Sequence, residues 1–213
     1  LRSHRGQVHS ALLAKCCRTE GVAADLRMMS HTSRSAITPP MRDLLIALPE
    51  RDRADVYTEH QAVWRELVRQ GVEAANGTIA PFLFASDGRG LIEARVAHAT
   101  LRAPLARPQH AGWFRCRVLA ETRLGGTGRP VAMSALPDFV RSLMARHGLQ
   151  VSHIQVDDVQ QRIGIKRECA AIRLHSAEVL LKGSFEDSGR AHIAWHQGIG
   201  RAKRFGCGML RAA

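Results

Sequence analysis

Tyr57 and His60 stand three positions apart in Asp55-Val56-Tyr57-Thr58-Glu59-His60-Gln61-Ala62-Val63-Trp64, so on a helix they share nearly one face. Histidine, with an unperturbed pKa of about 6.5, is the side chain suited to moving protons near neutral pH. Tyr57, the one tyrosine of the chain, is placed to orient the imidazole or to donate to an oxygen of a bound group. His60 also falls in the apolar register of Val56, Val63 and Leu67. The same spacing therefore serves a core-facing histidine satisfied by one hydrogen bond, and with eleven histidines in the chain residue type alone leaves both readings open.

A second stretch is Gln197-Gly198-Ile199-Gly200-Arg201-Ala202-Lys203-Arg204-Phe205-Gly206-Cys207-Gly208, where four glycines and three cations share twelve positions. Glycine permits left-handed turns and close approach of backbone to a ligand, while exposed N–H groups and cations suit phosphate. No G-K-[ST] follows, and Lys203 stands where a dinucleotide fingerprint needs its third glycine, so no nucleotide cofactor is expected. Spacing alone equally allows a glycine-rich helix cap that turns the chain into a last strand.

Composition narrows the partner. With 31 Lys and Arg against 19 Asp and Glu, the 213 residues carry a formal charge of +12, mostly as arginine spread along the chain. The planar guanidinium fork matches phosphate oxygens, which favours nucleic acid over a small acidic metabolite. Cys16, Cys17, Cys116, Cys169 and Cys207 show no C-x-x-C spacing, no Cys and His cluster has zinc-ligand spacing, and no apolar run approaches the roughly 20 residues that span a bilayer. The expectation is a cytoplasmic protein without a metal or a membrane span.

The elements that must position these residues follow from periodicity. Residues 1–40 lack a sustained pattern, end in Thr38-Pro39-Pro40 and read as a leader or extension. Leu44, Leu45, Ile46 and Leu48 make a strand closed by Pro49, and Asp55 caps a helix that Gly71 stops. Strands over 79–85 and 91–97 flank Ser86-Asp87-Gly88-Arg89-Gly90, a hairpin signal. A strand over 113–120 leads through a glycine-rich turn to a helix with the stripe Leu136, Phe139, Val140 and Leu143. Strands over 151–159 and 178–185, a helix from Gly189 and a short last strand complete the chain. The second half fits one β-α-β-β-α-β ferredoxin-like unit and the first half the opening of another, an α+β fold.

Motifs in three places carry a resemblance. Gly198-Ile199-Gly200, Ala202-Lys203 and Gly206-Cys207-Gly208 look like the signature loop of the CRISPR-associated repeat endoribonucleases of type I-E systems, the CasE family of the RAMP superfamily. Asp55 to Trp64 resembles that family's D-x-Y-x-x-H-x-x-x-W segment, which carries a catalytic histidine and a companion tyrosine. Phe114-Arg115-Cys116-Arg117 is similar to its F-R-L-R strand, followed by Gly128-Arg129-Pro130-Val131 where a G-K-R-V element is usual. The matches run in family order from Met41 onward. Val118-Leu119 departs from the usual Ala-Asn-Pro, and the stretch from Arg95 to His110 is short for the usual helix and strand, so the first unit is expected to be abbreviated.

The resemblance implies two ferredoxin-like units in tandem, 41–110 and 111–213. It also implies metal-independent cleavage of CRISPR precursor RNA at its repeat stem-loop, with the product retained in a Cascade complex. His60 and Tyr57 would be catalytic, with no cofactor. Arg115, Arg117, Arg123, Arg129, Lys166, Arg167, Gly198, Gly200, Arg201, Lys203, Arg204 and Gly206 would hold RNA, the basic active-site residue being one of Arg162, Lys166, Arg167 and Arg173. Against this stand a solvated sheet surface for the strand arginines, a hairpin-binding subunit without cleavage, and a basic ferredoxin-like protein with no CRISPR role.

Overall fold

The computed structural model describes residues 39–213 except 73, 76, 77, 80, 81, 125, 126 and 166–170. Residues 1–38 of the expected leader, together with Lys166, Arg167 and Cys169, lie outside the described residues.

The first part runs β1 (Met41–Ala47), α1 (Val56–Arg69), the short pair β2 (Ala74–Ala75) and β3 (Thr78–Ile79), then β4 (Phe82–Ser86) and β5 (Leu91–Ala97). Asp55 starts α1 by accepting the Tyr57 and Thr58 N–H groups at 2.8 and 3.2 Å, and Gly71 ends it at φ +88°. The Asp87 carboxylate closes the β4–β5 turn by accepting from the Arg89, Gly90 and Leu91 N–H groups. These strands form an antiparallel sheet in the order β1-β5-β4, and its core joins Ile46, Val63, Leu67, Phe84, Ile92 and Val96. That is three-quarters of a ferredoxin-like sheet. The fourth strand is reduced to one bridge, Arg42 to Leu105, with Asp43 donating to the Pro104 carbonyl and Ala106 to that of Met41. Pro104 and Pro108 each lack the N–H that a longer ladder would need.

The second part runs β6 (Ala111–Leu119), the hairpin β7 (Glu121–Leu124) and β8 (Thr127–Pro130), α2 (Leu136–Arg146), β9 (Leu149–Gly164), β10 (Ile172–Phe185), α3 (Ser188–Gln197) and β11 (Arg211–Ala212). Its sheet order, β11-β6-β10-β9 and antiparallel throughout, is the complete ferredoxin-like arrangement. Phe114, Cys116, Val118, Val179 and Leu181 face Leu136, Val140, Met144 and Trp195 from the helices. β9 and β10 extend well past the expected 151–159 and 178–185. Residues 157–161 are exposed, so a strand that buries neither face carries no apolar alternation to read.

Contacts from both directions knit the parts together. The Arg95 guanidinium on β5, 2% exposed, pairs with Asp43 at 2.7 and 3.1 Å, donates to the Trp195 and Leu210 carbonyls and lies 4.5 Å from the Trp195 ring centroid. The segment after α3 folds inward: the Gly208 N–H donates to the Arg117 carbonyl and the Ile199 N–H to that of Gly208, both at 2.7 Å, while Met209 packs on Leu83 and Ala85 of β4.

Candidate active site

His60 projects from α1 over β4. Its imidazole stacks on Phe82, with centroids 5.3 Å apart and planes 10° apart, and lies 6.2 Å from Phe84. It is half-buried, and its Nδ1 is buried without a hydrogen-bond partner among the described residues. A core histidine satisfied by one hydrogen bond would place that nitrogen on a donor or acceptor, and no such bond is made among the described residues. Burial first, and the Arg204 charge second, hold its pKa below the ordinary histidine value, so the ring is neutral at pH 7.

Tyr57, one turn earlier and half-buried, packs with Val56, Leu119, Leu174 and Phe205. Between the two aromatic residues, Glu59 is 2% exposed and takes the Arg162 guanidinium of β9. Arg162 also donates to the Phe205 carbonyl at 3.3 Å. The far end of β9 is seated on the same helix: the Ile165 N–H donates to the Asp55 capping carboxylate at 3.2 Å, and a Cβ on Gly164 would come within 2.7 Å of Val56 Cγ2. Thus β9 reaches from the second unit to the start of α1. Of the candidate basic residues, Arg162 is engaged with Glu59, and Arg173 is exposed on β10.

The glycine-rich segment divides its labour. Gly198 and Gly206 are buried at φ +71° and +78°, and an added Cβ would press on Leu83 and Phe84. Their place in the structure is thus packing against β4, where the sequence reading expected contact with RNA. Gly200 is half-buried, and its N–H donates to His147 Nε2 at 3.3 Å. The cations lie outside this packing: Arg201 and Arg204 are exposed and Lys203 is half-buried. Ala202, the one described non-glycine residue at positive φ (+60°), makes the sharp turn that presents Lys203 and Arg204, its carbonyl accepting from the Phe205 N–H. Arg204 lies 4.8 Å from the Phe205 ring centroid.

On β6 the structure separates two arginines that alternation places on one face. Arg115 is exposed, whereas Arg117 is 8% exposed, pairs with Glu178 at 3.2 Å and donates to the Ser86 carbonyl of β4. Arg117 is therefore a tie between the two sheets and not part of the outer surface expected of it. Arg123 and Arg129 are exposed on the β7–β8 hairpin. Beside it, a cleft of about 450 Å³ is lined by Arg123, Arg146, His147 and Arg201, with Phe139 and Leu143 as apolar wall. Arg146, His147, Arg162 as a partner for Glu59, and the Phe82 stack escaped the sequence reading. Only the i, i+1 adjacency of Arg146 and His147 at a helix end was available as a signal.

Fold and site together define a protein of two tandem ferredoxin-like units with an unpaired, half-buried histidine at their junction and arginines along the outer face. No protein-family profile matches the chain, and no curated protein sequence does. Solved structures do. A CRISPR endoribonuclease Cse3 bound to 19 nt RNA is 16% identical, with 83% of this chain and 99% of that one aligned at a TM-score of 0.61. The Thermus thermophilus Cse3 bound to an RNA representing a pre-cleavage complex is 17% identical over 82% and 99%, at 0.59. A chain of a CRISPR RNA-guided surveillance complex is 18% identical over 79% and 97%, at 0.53. The chain therefore has the Cse3 fold over nearly the whole length of those proteins.

Proposed function

We propose that the protein is a metal-independent endoribonuclease that cuts CRISPR precursor RNA at the repeat stem-loop and keeps the product within a Cascade-type complex. The observation that carries the reading is His60: half-buried, held against Phe82 and kept below the ordinary histidine pKa, on a fold shared with RNA-bound endoribonucleases. A neutral imidazole suits the base that removes the proton from a ribose 2′-hydroxyl. The 2′-oxygen then bonds to the adjacent phosphorus as the bond to the 5′-oxygen breaks, and that oxygen takes up a proton. Arg204 offers charge to the phosphorane, with Tyr57 as a further donor. The products carry a 2′,3′-cyclic phosphate and a 5′-hydroxyl.

Recognition of the stem rests on phosphate contacts from Arg123, Arg129 and Arg201, because the A-form major groove is too narrow for side chains to read. Incubating the protein with the repeat RNA of its host in EDTA tests the reading. One cut at the foot of the stem, with those end groups, supports it. Tight hairpin binding without a cut supports a non-catalytic hairpin-holding subunit instead.

A further inference from the structure

One face of the second sheet is unused by the site. Phe114, Cys116, Val179 and Leu181 point toward α2 and α3, so Trp113, Arg115, Arg117, Glu178, Leu180 and Lys182 point the other way. One end of that opposite face is closed. There Arg117 reaches Ser86, and Arg211 pairs with Glu178 and with Glu93 of β5. The other end is open, and the β6, β10 and β9 registers set Trp113, Lys182 and His153 side by side across it.

Trp113 is 38% exposed, whereas Trp195 is 3% exposed. The His153 ring meets its edge at 5.5 Å and 71°, and Lys182 Nζ stands 5.9 Å from its centroid. Exposed Arg115 is two residues along the same strand. On the other side of Trp113, the row Ala111, Ser184 and Gln150 carries small or flexible side chains, leaving a shallow groove of about 420 Å³ that Lys182 and Ser152 also line. Among the nearby acids, Glu178 is consumed by the two arginines and Asp157 accepts from Gln155. The patch thus joins an exposed indole, a second ring and two cations, while Asp157, bonded to the neutral Gln155 amide, keeps its charge.

We propose that Trp113, with Lys182, His153 and Arg115, forms a stacking platform for an unpaired nucleotide of single-stranded RNA. The proposal rests on the RNA-binding reading above but concerns a separate surface and a different part of the substrate, the strand flanking the stem. Every base offers a π-face to an indole, and Lys182 and Arg115 answer the phosphates on either side, so the platform tolerates many sequences. A protein partner would lean on apolar area, which here amounts to one indole and Leu180.

The test compares the full chain with Trp113→Ala and Trp113→Phe against an oligoadenylate of about eight nucleotides and against a blunt stem-loop. Trp113→Ala is expected to weaken oligoadenylate binding about tenfold, with Trp113→Phe within a few fold of the parent and stem-loop affinity unchanged. Thermal melts confirm that this exposed position leaves the fold intact. Unchanged oligoadenylate affinity in Trp113→Ala, or an equal loss for both RNAs, overturns the platform. Oligoadenylate binding that Trp113→Ala weakens, in a parent protein that does not bind the stem-loop, upholds the platform and defeats the stem-loop reading instead.

Discussion

Arg162 on β9 donates to the Glu59 carboxylate on α1 at 2.5 Å, so an ion pair from the second unit sits one residue before the histidine of the first. Glu59 is almost wholly buried, and removing its partner leaves a charge with neither water nor a counterion. Arg162→Ala is expected to lower unfolding free energy by about 3–5 kcal/mol in urea titrations. Combining it with Glu59→Gln should recover part of that loss. Equal stability of the single and double variants would mean that the pair does not hold α1 to β9.

His60→Ala should reduce cleavage in EDTA by about 10²- to 10⁴-fold while stem-loop affinity stays within a few fold. Tyr57→Phe keeps the ring that packs on Phe205 and removes one hydroxyl, so its loss should be smaller. Single-turnover rates with end-labelled RNA measure both. A His60→Ala protein that cuts at the parent rate with the same cyclic-phosphate product sinks the assignment.

The pH profile should bear the mark of the niche. A base whose pKa is depressed is active above that pKa, so cleavage should rise through a midpoint below about 6.5 and then level off near neutrality. Arg204→Ala removes a positive charge that disfavours the protonated ring, which raises the His60 pKa and moves the acid limb to higher pH. Burial is the larger cause and persists, so the limb stays below the ordinary histidine value. Saturating RNA separates this shift from weakened binding; a midpoint unmoved by Arg204→Ala would remove Arg204 from the niche.

Two glycines of the same segment should respond differently to alanine. At Gly200, φ is +72° and the nearest atoms to a new Cβ are Leu143 methyls at 3.5 Å, so only backbone strain of about 1–2 kcal/mol is expected. At Gly208, φ is +85° and the Cβ would lie 2.2 Å from the Ile199 carbonyl oxygen, which the segment cannot move without breaking its bond to Arg117. Gly208→Ala should cost about 3 kcal/mol or more. Similar melting temperatures for the two variants would contradict this packing.

Elements that bury one face were legible in the sequence. The Asp55 cap, the α1 stripe through Val63 and Leu67, the 86–90 turn and the α2 stripe all fall where periodicity places them. Legibility failed where a strand buries neither face, as at 157–161, and where a side chain's fate depends on a distant partner. Arg115 and Arg117 share one strand face and one residue type, yet only Arg117 finds Glu178 and a β4 carbonyl above it. Arg95 sits mid-strand with nothing local to mark it, because its partners at Trp195 and Leu210 come about a hundred residues later.

That last separation bears on the order of events during synthesis. His60 and Phe82 belong to the first unit, but Arg162 reaches the neighbouring Glu59 from β9, Arg204 and Phe205 arrive after α3, and Arg95 waits for the Trp195 and Leu210 carbonyls to complete its bonds. A ribosome that has delivered β1 through β5 has released the histidine with Phe82 but without Arg162, Arg204 and Phe205, and contacts of such long sequence range form late. The surroundings of His60 are therefore complete only once the segment that follows α3 has been made.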